Sequence, residues 1–203
     1  MTFLSKLEVV NSMLALLGET PLNAIDEDHD LTASALNILK VANYREQAKA
    51  WWFNKEVVTL SPDSSTGHIF IPADTIKIDP TRTTLDYVAR GRRLYRPYAT
   101  ASEDKWVFTS NVECELVRLL DFEDLPVTAQ LFVQASARLE FQNTQDGDPN
   151  RTAGLNKEYT GAFITLNAEH IRNRDANVLR RPSIQRALNN IGYQASPAGL
   201  PIA

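Results

Sequence analysis

The sequence predicts an α+β protein: a small α-helical bundle of two N-terminal and two C-terminal helices, an inserted antiparallel β domain, and an irregular C-terminal tail. Three observations predict it. Apolar residues recur at three-to-four spacing in two stretches before residue 56 and two after residue 125. Between them, short β-branched and aromatic runs are separated by Pro, Gly, Asp and Ser. The two patterns meet at Trp51-Trp52-Phe53, which holds two of the three tryptophans and reads as a joint. The expected boundaries are 1–55 with 125–171 for the bundle, 56–124 for the β domain and 172–203 for an extended tail.

Residues 5–17 read as the first helix. Ser5 and Glu8 fit a capping box, in which each side chain satisfies a free backbone N–H at the helix start. Leu7, Val10, Leu14 and Leu17 form its apolar stripe, and Gly18 is the stop. Asp30 reads as the cap of a second helix that reaches the Trp51 cluster, with Leu31, Ala35, Ile38 and Ala42 on one buried row. Val41, Ala48 and Trp52 form the next row. Strands are expected at 57–60, 68–71, 75–78, 85–89, 94–98, 106–108 and 112–119. Arg90-Gly91-Arg92-Arg93 is a hairpin turn, with Gly91 free to take positive φ. Pro126 opens a third helix with Leu131, Ala135, Leu139 and Gln142 on one row, widened by Phe132 and Phe141. Gln145-Asp146-Gly147-Asp148-Pro149 breaks the chain before a fourth helix over 150–171. Beyond it, Pro182, Gly192, Pro197, Gly199 and Pro201 prevent a long regular element.

Composition bounds the function. With 43% hydrophobic and 23% charged residues, the 203-residue chain is globular and large enough to bury a core. A net charge of −4 argues against a free nucleic-acid binder, which is usually strongly basic. From residue 171 on, however, five arginines against one acid give +4, leaving −8 for the rest. Cys114 is the sole cysteine, so no intrachain disulfide forms. The start, Met1 to Lys6, lacks the features of a signal peptide, and no stretch approaches the ~20 apolar residues of a membrane span. These features predict a protein made and folded in a cytoplasm.

Candidate chemistry is sparse. His29, His68 and His170 lack the closely spaced partners of a zinc site. Asp26, Asp28 and Asp30 begin like a calcium loop, but Leu31 stands where glycine is needed and Asn37 where a bidentate glutamate is needed. Cys114, between Glu113 and Glu115, reads as a buried structural thiol rather than a nucleophile. A glycosidase needs two carboxylates across a cleft, and Asp121, Glu123, Asp124 or the Asp146/Asp148 pair could be nominated. Sequence spacing does not place a cleft, and no phosphate-binding glycine loop is present. The hairpin bearing Arg90, Arg92, Arg93, Tyr95 and Arg96, with Tyr87 and Tyr98 nearby, has the composition to bind phosphate and stack on bases. The same residues read equally as a solvated hairpin tip or a docking point for a protein partner.

Several segments taken in order resemble one family. They are NSMLALLGETP from Asn11, and Trp51-Trp52-Phe53-Asn54 before a strand stopping at Pro62-Asp63. Arg90-Gly91 with Leu94-Tyr95, and Leu116-Val117-Arg118-Leu119 with Phe122-Glu123-Asp124-Leu125-Pro126, complete the set. Over about residues 7–166 they are similar to the tail tubular protein A family, the head-to-tail adaptors of short-tailed, podovirus-type bacteriophages. The resemblance implies a structural virion protein without a cofactor, a homo-oligomer of twelve copies forming a ring beneath the portal protein. The tail nozzle protein, tail tubular protein B, would attach below, with tail fibres at the junction. Genomic DNA would pass through the lumen without specific binding, and no membrane is involved. On this reading Arg172, Arg174, Arg180, Arg181 and Arg186 contact the portal, while Arg90, Arg92, Arg93, Tyr95 and Arg96 face nozzle or fibre. The alternative of a different class is a tail-associated polysaccharide-degrading enzyme using a carboxylate pair.

Overall fold

A computed structural model of the chain describes residues 4–27, 29–81, 87–100 and 104–178. Helix α1 (Lys6–Leu17) begins as its sequence predicts: Ser5 Oγ accepts the Glu8 N–H at 3.2 Å, and Glu8 Oε2 accepts the Ser5 N–H at 2.7 Å. Gly18 ends it at φ 78°, a left-handed conformation that costs an L side chain energy.

Helix α2 (Thr32–Gln47) departs from expectation at both ends. Leu31, not Asp30, stands at the cap, without a side-chain bond, and its N–H donates to His29 Nδ1 at 3.2 Å. At the other end the helix stops before the aromatic cluster. The Trp51 indole donates to Glu46 O at 2.8 Å and the Asn54 amide to Gln47 O at 3.0 Å. Side chains thus satisfy late helical carbonyls that a further turn would have used. Ala50, at φ 65°, reverses the chain, so Trp51, Trp52 and Phe53 occupy the turn. The buried face runs through Ala35, Ile38, Leu39, Ala42 and Glu46. Val41, expected inside, is exposed.

The β domain contains β1 (Lys55–Leu60), β2 (Thr75–Pro80), β3 (Val88–Arg90), β4 (Arg93–Tyr95) and β5 (Val112–Arg118). Its antiparallel sheet has the order β1-β5-β2, and β3 and β4 form a separate hairpin. Val58 pairs with Cys114 and Ile78 with Leu116, so the Cys114 and Leu116 side chains enter the core while Glu113 and Glu115 face away. The strands expected at 68–71 and 106–108 are instead single bridges, His68 to Val107 and Phe70 to Arg93. These segments cross between sheet and hairpin, so their alternating pattern buries Ile69, Ile71 and Phe108 without a continuous ladder. Gly67 allows the crossing: a Cβ there would lie 2.9 Å from the Val107 side chain.

Two further helices complete the bundle, α3 (Val127–Gln145) and α4 (Pro149–Val178). Pro126 is the residue just before α3, and Gly147, at φ 69°, makes the break between the two. Helix α3 packs on α1, α2 and α4. A helix with three neighbours buries more than one stripe, and Phe132, Val133, Ala137 and Phe141 are its innermost residues. Leu131, placed on the buried row from sequence, is exposed. Helix α4 runs past Ile171 to Val178, because neither glycine nor proline occurs between Ile171 and Pro182. Arg172 and Arg174 are therefore helical, which corrects the extended tail expected from residue 172. The remainder of that tail, with Arg180, Arg181 and Arg186, lies outside the described residues. The bundle and the β domain each have their own apolar cluster, the first including Trp51, Phe122 and Leu125 and the second centred on Leu94, Cys114 and Leu116.

Candidate functional site

The two halves are joined by buried amides. Gln47 Nε2 donates to Leu120 O at 2.8 Å and to Asn43 Oδ1 at 2.9 Å, while Gln47 Oε1 accepts the Leu120 N–H at 2.9 Å. Asn54 Nδ2 donates to Gln47 O and to Arg118 O, each at 3.0 Å, and the Arg118 N–H returns to Asn54 O at 2.8 Å. The end of α2, the start of β1 and the end of β5 are thereby clamped together. Trp51 packs edge-on against Phe132 of α3 and His170 of α4, with ring centroids 6.0 and 5.4 Å apart. His170 Nδ1 accepts the Trp52 N–H at 3.2 Å. Arg118 also holds Glu56 and Asp74, which keeps the Asp74 carboxyl below its ordinary range.

On the β domain four of the five hairpin residues, Arg90, Arg93, Tyr95 and Arg96, make ring contacts that sequence reasoning did not assign. The Arg90 guanidinium lies 3.8 Å from the centre of the Tyr95 ring, and Tyr95 meets Trp106 edge-on at 4.8 Å. Arg93 lies 4.5 Å over Trp106, with Nη1 3.3 Å from His68 Nδ1. Arg96 lies 5.3 Å from the Phe108 ring and donates to Asp104 O and Val107 O at 2.8 and 2.7 Å. Arg92 is exposed in the turn, where Gly91 takes φ 60°. Guanidinium groups stacked on ring faces are pre-organised, and their planar forks suit carboxylate or phosphate. The signal that could have found Trp106 and Phe108 is their i, i+2 spacing, which places both on one side of an extended segment.

The other sequence candidates have structural roles. Asp121 faces Lys6 at 4.0 Å, and Glu123 accepts the Lys6 N–H at 3.3 Å, so both bind the start of α1. Asp146 and Asp148 lie 3.8 and 3.7 Å from Arg151 across the α3–α4 turn. Burial, with Asp79 and Glu113 nearby, pushes the Cys114 thiol up to about 11, so no reactive thiolate exists at neutral pH. Arg172 and Arg174 are exposed near the end of α4. No helix among the described residues is long and apolar enough to cross a membrane.

A family model described as tail tubular protein matches residues 7–176, which spans the bundle, the joint and the β domain. The chain belongs to the tail tubular protein family. Among curated proteins it is similar to tail tubular protein A of Klebsiella phage KP34, with 26% identity over 170 residues, covering 83% of this chain and 88% of that protein. As a tail tubular protein it is a structural component of a phage virion. The family match includes the basic hairpin, Arg172 and Arg174, and ends before Arg180.

Proposed function

We propose that this tail tubular protein is the adaptor ring subunit between portal and tail nozzle of a short-tailed phage. Twelve copies form the ring, the genome leaves through its lumen, and tail fibres dock at the adaptor–nozzle junction. The observation that carries this reading is the pinned arginine–aromatic surface on the β domain, held by a buried joint to a bundle whose last helix carries Arg172 and Arg174. One subunit then offers two separate cationic surfaces to two acidic partners. The hairpin, Arg90 to Arg96, faces nozzle or fibre. The end of α4 and the segment after it, with Arg172, Arg174, Arg180, Arg181 and Arg186, face the portal. A net charge of −4 suits a channel through which DNA must slide without sticking.

The test is the solution mass of the full chain across concentration, with and without portal protein, followed by nozzle binding. A closed ring alone or on the portal is expected. Replacing Arg90, Arg93 and Arg96 together by Ala is expected to weaken nozzle binding at least tenfold while portal binding stays unchanged. A monomer indifferent to the portal would overturn the ring, and unchanged nozzle and fibre binding would remove the hairpin from the junction.

A further inference from the structure

Two faces of the bundle expose large apolar side chains away from α3. One is a ridge on α4. From Tyr159 to Ala168 this helix carries no charged residue on any face, although Ile164 is 61% exposed and Ile171, two turns on, is 49% exposed. A solvated helix normally carries charged groups along its outer face, whereas here the outer face sets isoleucine among Thr160, Thr165 and Ala168, so a partner covers it without stranding a charge. The other face is a groove of about 770 Å³ along α2, lined by Leu36, Val41 and Leu120, with Tyr44 half exposed beside them.

We propose that ridge and groove are the two halves of one subunit contact, in which Ile164 and Ile171 of one copy seat against Leu36, Val41 and Tyr44 of the next. The inference rests on the ring reading above and names the surfaces that would close the ring. Charge selects a second copy over an acidic partner. The rim cations are largely answered within the chain: Lys6 faces Asp121 at 4.0 Å, and Arg45 holds Glu140 at 2.6 Å and Glu46 at 3.3 Å. An acidic segment would compete with those carboxylates, while an uncharged ridge leaves every pair in place and meets Asn37, Lys40 and Asn43 at the rim. The faces are unlike, one convex and one concave, and lie on different helices. The contact is therefore heterologous and repeats head to tail, as ring closure requires, whereas a self-complementary patch would stop at a dimer.

The experiment uses Ile164→Glu and Val41→Glu in the full chain, both at exposed positions, with circular dichroism and melting temperature confirming the fold. Each variant alone is expected to lose assembly, falling from ring mass to monomer mass with and without portal protein. Each keeps one good face, so mixing them one to one is expected to give a dimer and nothing larger. Chains with Val41→Cys are expected to link by disulfide to chains with Ile164→Cys, and neither to link to itself. If the wild type forms rings and both glutamate variants do so equally well, the contact is overturned while the ring reading stands. A wild type that stays monomeric even with portal overturns both. Loss of assembly in both variants, with no mixed dimer and no mixed crosslink, would give these faces to another partner and overturn the second-copy occupant.

Discussion

Gln47 is 1% exposed, yet both ends of its amide are used, by Asn43 one turn back in α2 and by the Leu120 backbone. An apolar residue of similar size would fill the space and strand the Leu120 N–H, while the Leu120 carbonyl would keep only the Asn43 amide. Gln47→Leu is expected to cost about 2 kcal/mol, the usual penalty for an unsatisfied buried polar group, read as a lower urea midpoint at unchanged slope. A change below about 0.5 kcal/mol would mean that water replaces those bonds. Residues of this kind are invisible in the sequence, where glutamine and asparagine read as surface. The tryptophans beside them are legible, because a large apolar ring needs burial wherever it stands. Even so, the sequence puts Trp52 on a helix face, while the structure places it in the turn after α2, beside Trp51 whose indole N–H bonds Glu46 O.

Among the elements, α4 links the outer side of the bundle to the joint. It packs on α3, and its His170 reaches the joint, with Trp51 and Trp52 as ring neighbours and Lys55 and Arg174 as the charges around it. Burial lowers the His170 pKa below its ordinary 6.5, and Arg174 and Lys55 lower it further. On acidification the unfolded chain takes up the proton first. The stability contributed by neutral His170 is therefore present above about pH 6.5 and lost as pH falls through the lower folded-state value. The melting temperature is expected to drop more steeply from pH 7 to 5 in the wild type than in His170→Asn; equal slopes would assign the drop to other groups. Element existence was largely legible: the capping box, Gly18, the Gly91 turn and the Gly147 break each announce a local backbone event. Element extent was not. Whether residues 106–108 pair along a full strand or at one bridge depends on which segment lies opposite, and that is settled far away in sequence.

At the scale of the whole molecule, two apolar clusters are coupled by a polar joint, and cationic groups gather on one surface of an acidic chain. Deleting residues after Arg180 is expected to leave the monomer's melting temperature unchanged and to weaken portal docking, measured as the concentration needed for co-sedimentation. Unchanged docking would end the role proposed for Arg181 and Arg186. The sequence by itself determined the order of the elements, the insertion of a β domain into a helical bundle, the joint at Trp51 and the family resemblance. These depend on local periodicity, on turn chemistry and on residues whose order along the chain is fixed. Only the tertiary structure decided which helix faces are buried, where α2 stops, how the arginines stack on Trp106 and Phe108, and that α4 presents an uncharged ridge to solvent. Each of those depends on the neighbour a side chain meets across space, and residues far apart in the chain supply that neighbour.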